Sequence, residues 1–141
     1  MTIRQGLTTS FKLDMLNGTQ NVASDTLSMA LYTAFADINE NTTAYTTDNE
    51  ITGTGYTAGG QTLSNVTIQS TSDGIVYVSF SNPTWDPAQF TARGALIYNT
   101  SKSNASIAVL DFGSDKTQAG NNTFTVTLPP DTASSALIRI N

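Results

Sequence analysis

The sequence predicts an all-β fold, an antiparallel β-sandwich or jelly-roll-like domain with a short N-terminal helix. Three observations carry the prediction. About seven short runs show strand alternation or β-branched and aromatic enrichment, Gly, Pro, Asn and Asp punctuate the gaps between them, and helical periodicity is convincing only near the start. Hydrophobic residues reach only 38 % and charged residues 12 %, so uncharged Thr, Ser and Asn fill the surface. Thr suits a half-exposed pleated surface and loses rotamer freedom in a helix.

The elements follow in chain order. Residues 1–9 have no core pattern of their own and read as an extended N-terminal arm, with residues 10–141 forming one β-rich domain. Ser10 is the expected N-cap of a two-turn helix carrying Phe11, Met15 and Leu16 on one side, stopped by Asn17-Gly18. From Asp25 to Thr33, Leu27, Met29 and Leu31 alternate with Ser28, Ala30 and Tyr32, which predicts a half-buried strand. Between Ala34 and Leu63 the periodicity disappears. A structureless loop of about 30 residues is uncommon in a compact domain, so an ordered excursion pinned by Tyr45, Ile51 and Tyr56 is expected.

The second half alternates strand and turn. Val66–Ser70 and Ile75–Phe80 flank Thr71-Ser72-Asp73-Gly74, whose Asp-Gly pair is a hairpin signal. Asn82-Pro83-Thr84-Trp85-Asp86-Pro87 is expected to break the ladder, because proline donates no hydrogen bond to it. A strand then resumes over Phe90–Tyr98 with Phe90, Ala92, Gly94, Leu96 and Tyr98 on one side. After a turn at Asn99–Asn104, strands are expected at Ile107–Phe112, Thr123–Leu128 and Ala136–Ile140, separated by Gly113-Ser114-Asp115 and Pro129-Pro130-Asp131.

The chemistry is defined largely by what the composition excludes. With no histidine and no cysteine there is no imidazole base, no Ser-His-Asp or Cys-His nucleophile, no disulfide and no thiolate or imidazole metal site. A non-enzymatic chain without cofactor is expected. Carboxylate-only catalysis survives in principle, with Asp86 beside Trp85, or Asp111 and Asp115, as its candidates. A turn aspartate beside proline is an ordinary structural device. The Asp111 and Asp115 pair falls short of the six to eight or so oxygen ligands of calcium and reads as a salt bridge or turn cap with Lys116 or Arg93.

The stretch Gly53–Gly60 lacks the Lys and Ser/Thr of a phosphate loop and reads as tight turns. Trp85 and the tyrosines are an aromatic binding face or, more simply, core and interface anchors. The net charge of −5 with six scattered basic residues predicts no nucleic-acid partner. No run has the roughly 18 apolar residues that span a bilayer, nor is there a signal-peptide pattern at the start, so a soluble protein made in the host cytoplasm is expected.

Several strings are more specific than composition. Asp25-Thr26-Leu27-Ser28-Met29-Ala30-Leu31-Tyr32-Thr33, Glu50-Ile51-Thr52-Gly53-Thr54-Gly55-Tyr56-Thr57-Ala58-Gly59-Gly60, Phe90-Thr91-Ala92-Arg93-Gly94-Ala95-Leu96-Ile97-Tyr98-Asn99 and Ala108-Val109-Leu110-Asp111-Phe112-Gly113 resemble a family of small tailed-bacteriophage virion structural proteins. The likeness extends over nearly the whole chain. It implies a virion location and a capsid cement or decoration role, with the major capsid protein as partner. In that setting the patternless Thr2–Thr9 is expected to be an arm adding a strand to an exposed capsid sheet edge, and symmetry matching the capsid lattice leads to an expected homotrimer on threefold sites. A tail, neck or fibre component is the alternative within that setting, and a carbohydrate- or receptor-binding module on the virion is the other. The candidate interface residues are Thr2, Ile3, Arg4, Gln5, Leu7, Tyr56, Trp85 and Arg93.

Overall fold

The computed structural model describes residues 2–129, 132 and 134–140. Met1 of the expected arm and Pro130 and Asp131 of the expected Pro-Pro-Asp turn lie outside them. Two antiparallel sheets and one helix make up the fold. Strands β1 (Gly6–Leu7), β2 (Leu27–Tyr32), β3 (Gln61–Thr62), β6 (Thr84–Asn99) and β7 (Ala105–Thr125) form a five-stranded sheet in the order β1-β7-β6-β2-β3. Strands β4 (Thr67–Ser70), β5 (Val76–Ser79) and β8 (Ile138–Ile140) form a three-stranded sheet in the order β4-β5-β8.

The helix α1 (Thr9–Asn17) starts two residues earlier than expected. Thr8, not Ser10, is the N-cap: its side-chain oxygen accepts from the Phe11 N–H, and Gly18 ends the helix in the left-handed region. Ser10 instead lies within 3.0 Å of the Ser106 hydroxyl. Phe11 alone is buried in the helix, Met15 packs partly against the core, and Leu16 is 89 % exposed, so the apolar stripe is narrower than the sequence suggests.

The strand expected over Asp25–Thr33 is present as β2, but all six of its residues are buried. It is half-buried in neither direction because both faces of the large sheet are covered. Leu27, Met29 and Leu31 join a core shared with Val78 and Ile138 of the small sheet and with Phe80 just past β5, and the core also takes in Phe11 of the helix. On the opposite face Ala30 and Tyr32 join Leu96, Tyr98, Val109, Ala36 and Ile38. The cover there is irregular chain, chiefly the 34–60 excursion.

Three expectations about the second half need correction. The Trp85-Asp86-Pro87 segment does not break the ladder, because β6 starts at Thr84 and the register with β7 shifts between Trp85 and Ala88, which absorbs the proline. The alternation over Phe90–Tyr98 changes phase midway. A further register shift between Ala92 and Gly94 puts Phe90 and Ala92 on the same face as Ala95 and Ile97, while Leu96 and Tyr98 face the other way. Finally, Gly113-Ser114-Asp115 does not separate two strands. Ala92 pairs with Lys116 and Gly94 with Asp111, so β7 bulges across those residues and continues to Thr125.

The N-terminal segment is the fourth correction, since it is docked on its own domain rather than extended as an arm. Gly6 and Leu7 pair with Val109 and Ala108, the Arg4 N–H donates to Ile38 O, and Thr8 N–H donates to Ile107 O. Leu7 packs against the first core and Ile3 against the second, seated where Gly94 has no side chain. The fold's accessible surface of 7030 Å² matches the roughly 7,000 Å² expected of a compact 14.9 kDa monomer.

Candidate docking surface

The 34–60 excursion is ordered around one carboxylate. Glu50 accepts from Tyr45 Oη at 2.7 Å, Tyr56 Oη at 2.6 Å and the Gly59 N–H at 2.7 Å. Tyr56 Oη in turn accepts from the Leu31 N–H at 2.9 Å, which ties the loop to β2. Tyr45 stacks on Tyr98 with ring centroids 4.7 Å apart, and Tyr98 donates to Gly59 O. Burial, reinforced by the nearby Glu50 carboxylate, raises the phenols of Tyr32, Tyr45, Tyr56 and Tyr98 above their ordinary value. This cluster is a fastening, because every group in it has an internal partner.

A second polar network lies under α1. Asn99, fully buried, donates to Gln20 Oε1 and Asp25 Oδ2, and Gln20 donates to Asp14 Oδ2 and Ser106 O. Burial acts to raise the Asp25 carboxyl, but hydrogen bonds from Asn99 and Asn21 and the Lys102 charge outweigh it and hold the group below its ordinary value.

The eight candidate interface residues do not share one surface. Thr2, Ile3, Arg4 and Leu7 hold the N-terminus down: the Thr2 N–H approaches Asp37 Oδ1 at 3.4 Å and Arg4 pairs with Glu40 at 2.8 Å. Trp85 is 1 % exposed and sits among Tyr56, Phe90 and Phe124, so it is a core residue and offers no stacking platform. Its indole N–H has no acceptor among the described residues, a cost of about 1–3 kcal/mol that the packed ring must offset. Tyr56 is half-buried beside it. Gln5 and Arg93 also come together, on either side of Asp111. Gln5 Oε1 accepts from the Asp111 N–H, and Arg93 Nε lies 3.4 Å from Asp111 Oδ1. The expected salt bridge of Asp111 with Arg93 is therefore present, and no cluster of three or more metal-ligating side chains occurs among the described residues.

Gln5 and Asp111 also mark one end of a groove of about 680 Å³ along the outer side of β7. Its apolar floor includes Phe124, Val126 and Leu128, alternate residues whose side chains reach the core. Its rim is polar and includes Lys116, Thr117 and Thr123. From Ala105 to Asp111 the outer edge of β7 is covered by the Thr43–Ala44 backbone, by β1 and by Gln5. Beyond Phe112 its only strand partner among the described residues is β6.

The sequence concealed this edge. Residues 113–123 contain no large apolar side chain, and that run reads as connecting loop unless it is recognised as an exposed ribbon. No helix among the described residues is long and apolar enough to cross a membrane. Comparison with protein-family models, curated proteins and solved structures finds no match.

Proposed function

We propose that this chain is a structural protein of a tailed-phage virion, a capsid cement or decoration protein that binds the outside of the major capsid shell and stabilises it. The family-like strings of the sequence suggest the setting. The observation that carries the reading is the long outer limb of β7, a preformed strand edge beside a groove. Such an edge binds through backbone hydrogen bonds and shape, which is how a building block contributes surface without reactive groups. Self-association as a trimer would then occur on the lattice, where shell symmetry brings three copies together.

The alternative placement is a tail, neck or fibre. Copy number separates them, because a shell protein is present in hundreds of copies and a tail or neck part in roughly 3 to 12. A cryo-EM map of the source particle, with quantitative mass spectrometry, tests the reading. Density over the shell lattice is expected, and density confined to the portal vertex or tail would overturn it.

A further inference from the structure

We infer that the outer edge of β7 accepts one extended segment of the shell protein as an added strand, with that segment's alternate side chains seated in the 680 Å³ groove. The inference rests on the proposed function and names its contact. Lys116 to Thr125 gives a free edge on the order of 30 Å long. Register shifts against β6 fall on either side of Ala88, which pairs with Asn122, so β7 is irregular around Ala119–Asn121. There the Ala119 carbonyl is already taken by the Gln118 and Asn122 side-chain amides. Strand pairing is therefore restricted to two runs, Lys116–Gln118 and Asn122–Thr125.

The side-chain environment specifies the occupant further. Phe124, Val126 and Leu128 turn alternate, largely buried side chains toward the core and give the groove beside the edge a partly apolar floor. Asp111 faces Arg93 and is neutralised by it, whereas Lys116 has no ion-pair partner among the described residues. The groove lining thus presents one ammonium without an ion pair among the described residues, and it suits a segment carrying a carboxylate near Lys116. A second copy of this chain is a poorer fit, since each copy carries the same net charge of −5.

The test combines sedimentation with hydrogen exchange. The purified protein is mixed with capsid shells from a phage stock deleted for its gene, and backbone amide exchange is compared free and shell-bound. Binding is expected, with exchange slowed about tenfold or more at 116–118 and 122–125 while 119–121 stays open. Lys116→Glu should weaken sedimentation about tenfold, and Thr123→Trp, a bulky residue at an exposed rim position, should do the same; both variants should keep the wild-type thermal midpoint. Binding with new protection elsewhere, for example along the groove of about 260 Å³ between α1 and the small sheet, overturns the strand addition and leaves the shell reading standing. No binding to the shells overturns both. The same protection arising in the free protein as concentration rises, with a dimer by light scattering, assigns the edge to a second copy and also overturns the inference.

Discussion

At the residue scale, Gly55 and Gly60 are positions in the excursion that accept only glycine. Gly60 has φ +80° and a side chain there would run into the Met29 carbonyl of β2, while Gly55 at φ +85° would meet the Pro87 carbonyl of β6. Both contacts are with backbone, which has no rotamer to escape by. Gly60→Ala is therefore expected to cost more than about 2 kcal/mol, combining left-handed strain with displacement of β2, and a urea midpoint unchanged from wild type would contradict this. The raised tyrosines make the second residue-scale prediction. A phenol whose folded pKa exceeds its unfolded value near 10 stabilises fully below that value. Above it the unfolded state has shed the proton and the folded state still holds it, so stability falls as pH rises, by about 1.4 kcal/mol per pH unit for a fully buried phenol such as Tyr32. Ionisation of Tyr32, Tyr45, Tyr56 and Tyr98 should therefore coincide with unfolding above pH 10. Smooth phenolate absorbance growth on a folded protein would refute it.

At the scale of elements, Glu50 is the hinge of the argument, since one carboxylate joins Tyr45, Tyr56 and Gly59 to the face of the large sheet. Glu50→Gln replaces one acceptor oxygen by a donor that meets hydroxyl groups already donating. A loss of about 1–3 kcal/mol is expected, with exchange accelerated over 45–60 and not over the β4–β5 hairpin. Uniform acceleration across both would mean that the loop is no separate unit. Why the pin was readable and the strands only partly so is instructive. Tyr45, Ile51 and Tyr56 stand out as the large side chains in a polar stretch, and the Asp73-Gly74 turn declares its hairpin locally. The face that Phe90 and Ala92 occupy depends on a bulge beside Gly94, and the union of 105–125 into one strand depends on pairing with residues up to some forty positions away. Period-two patterns record burial on each side of a bulge and carry no mark of the bulge itself.

For the whole molecule, the decisive difference from the sequence reading is the N-terminal segment. A free arm of residues 2–9 would be dispensable for folding and its deletion would remove binding alone. In the folded chain the same residues close both cores. Leu7 and Ile3 cover opposite faces of the large sheet, β1 shields β7 at Ala108 and Val109, and Thr8 caps α1 while its hydroxyl donates to Ile107 O and accepts from Ser106. Thr8→Ala alone should cost about 1–2 kcal/mol, because the cap is fully buried. Removing residues 2–8 adds the loss of Leu7 and Ile3, whose burial is worth roughly 1.5–3 kcal/mol each when complete and less here, where both remain partly exposed. Against a typical total of about 5–15 kcal/mol, the truncated chain is expected to be largely unfolded at 37 °C. Near-ultraviolet circular dichroism checks this through the single buried Trp85, whose signal should collapse. A truncated chain that keeps this signal and the wild-type melting midpoint would restore the free arm, and with it a route to the capsid that does not use β7.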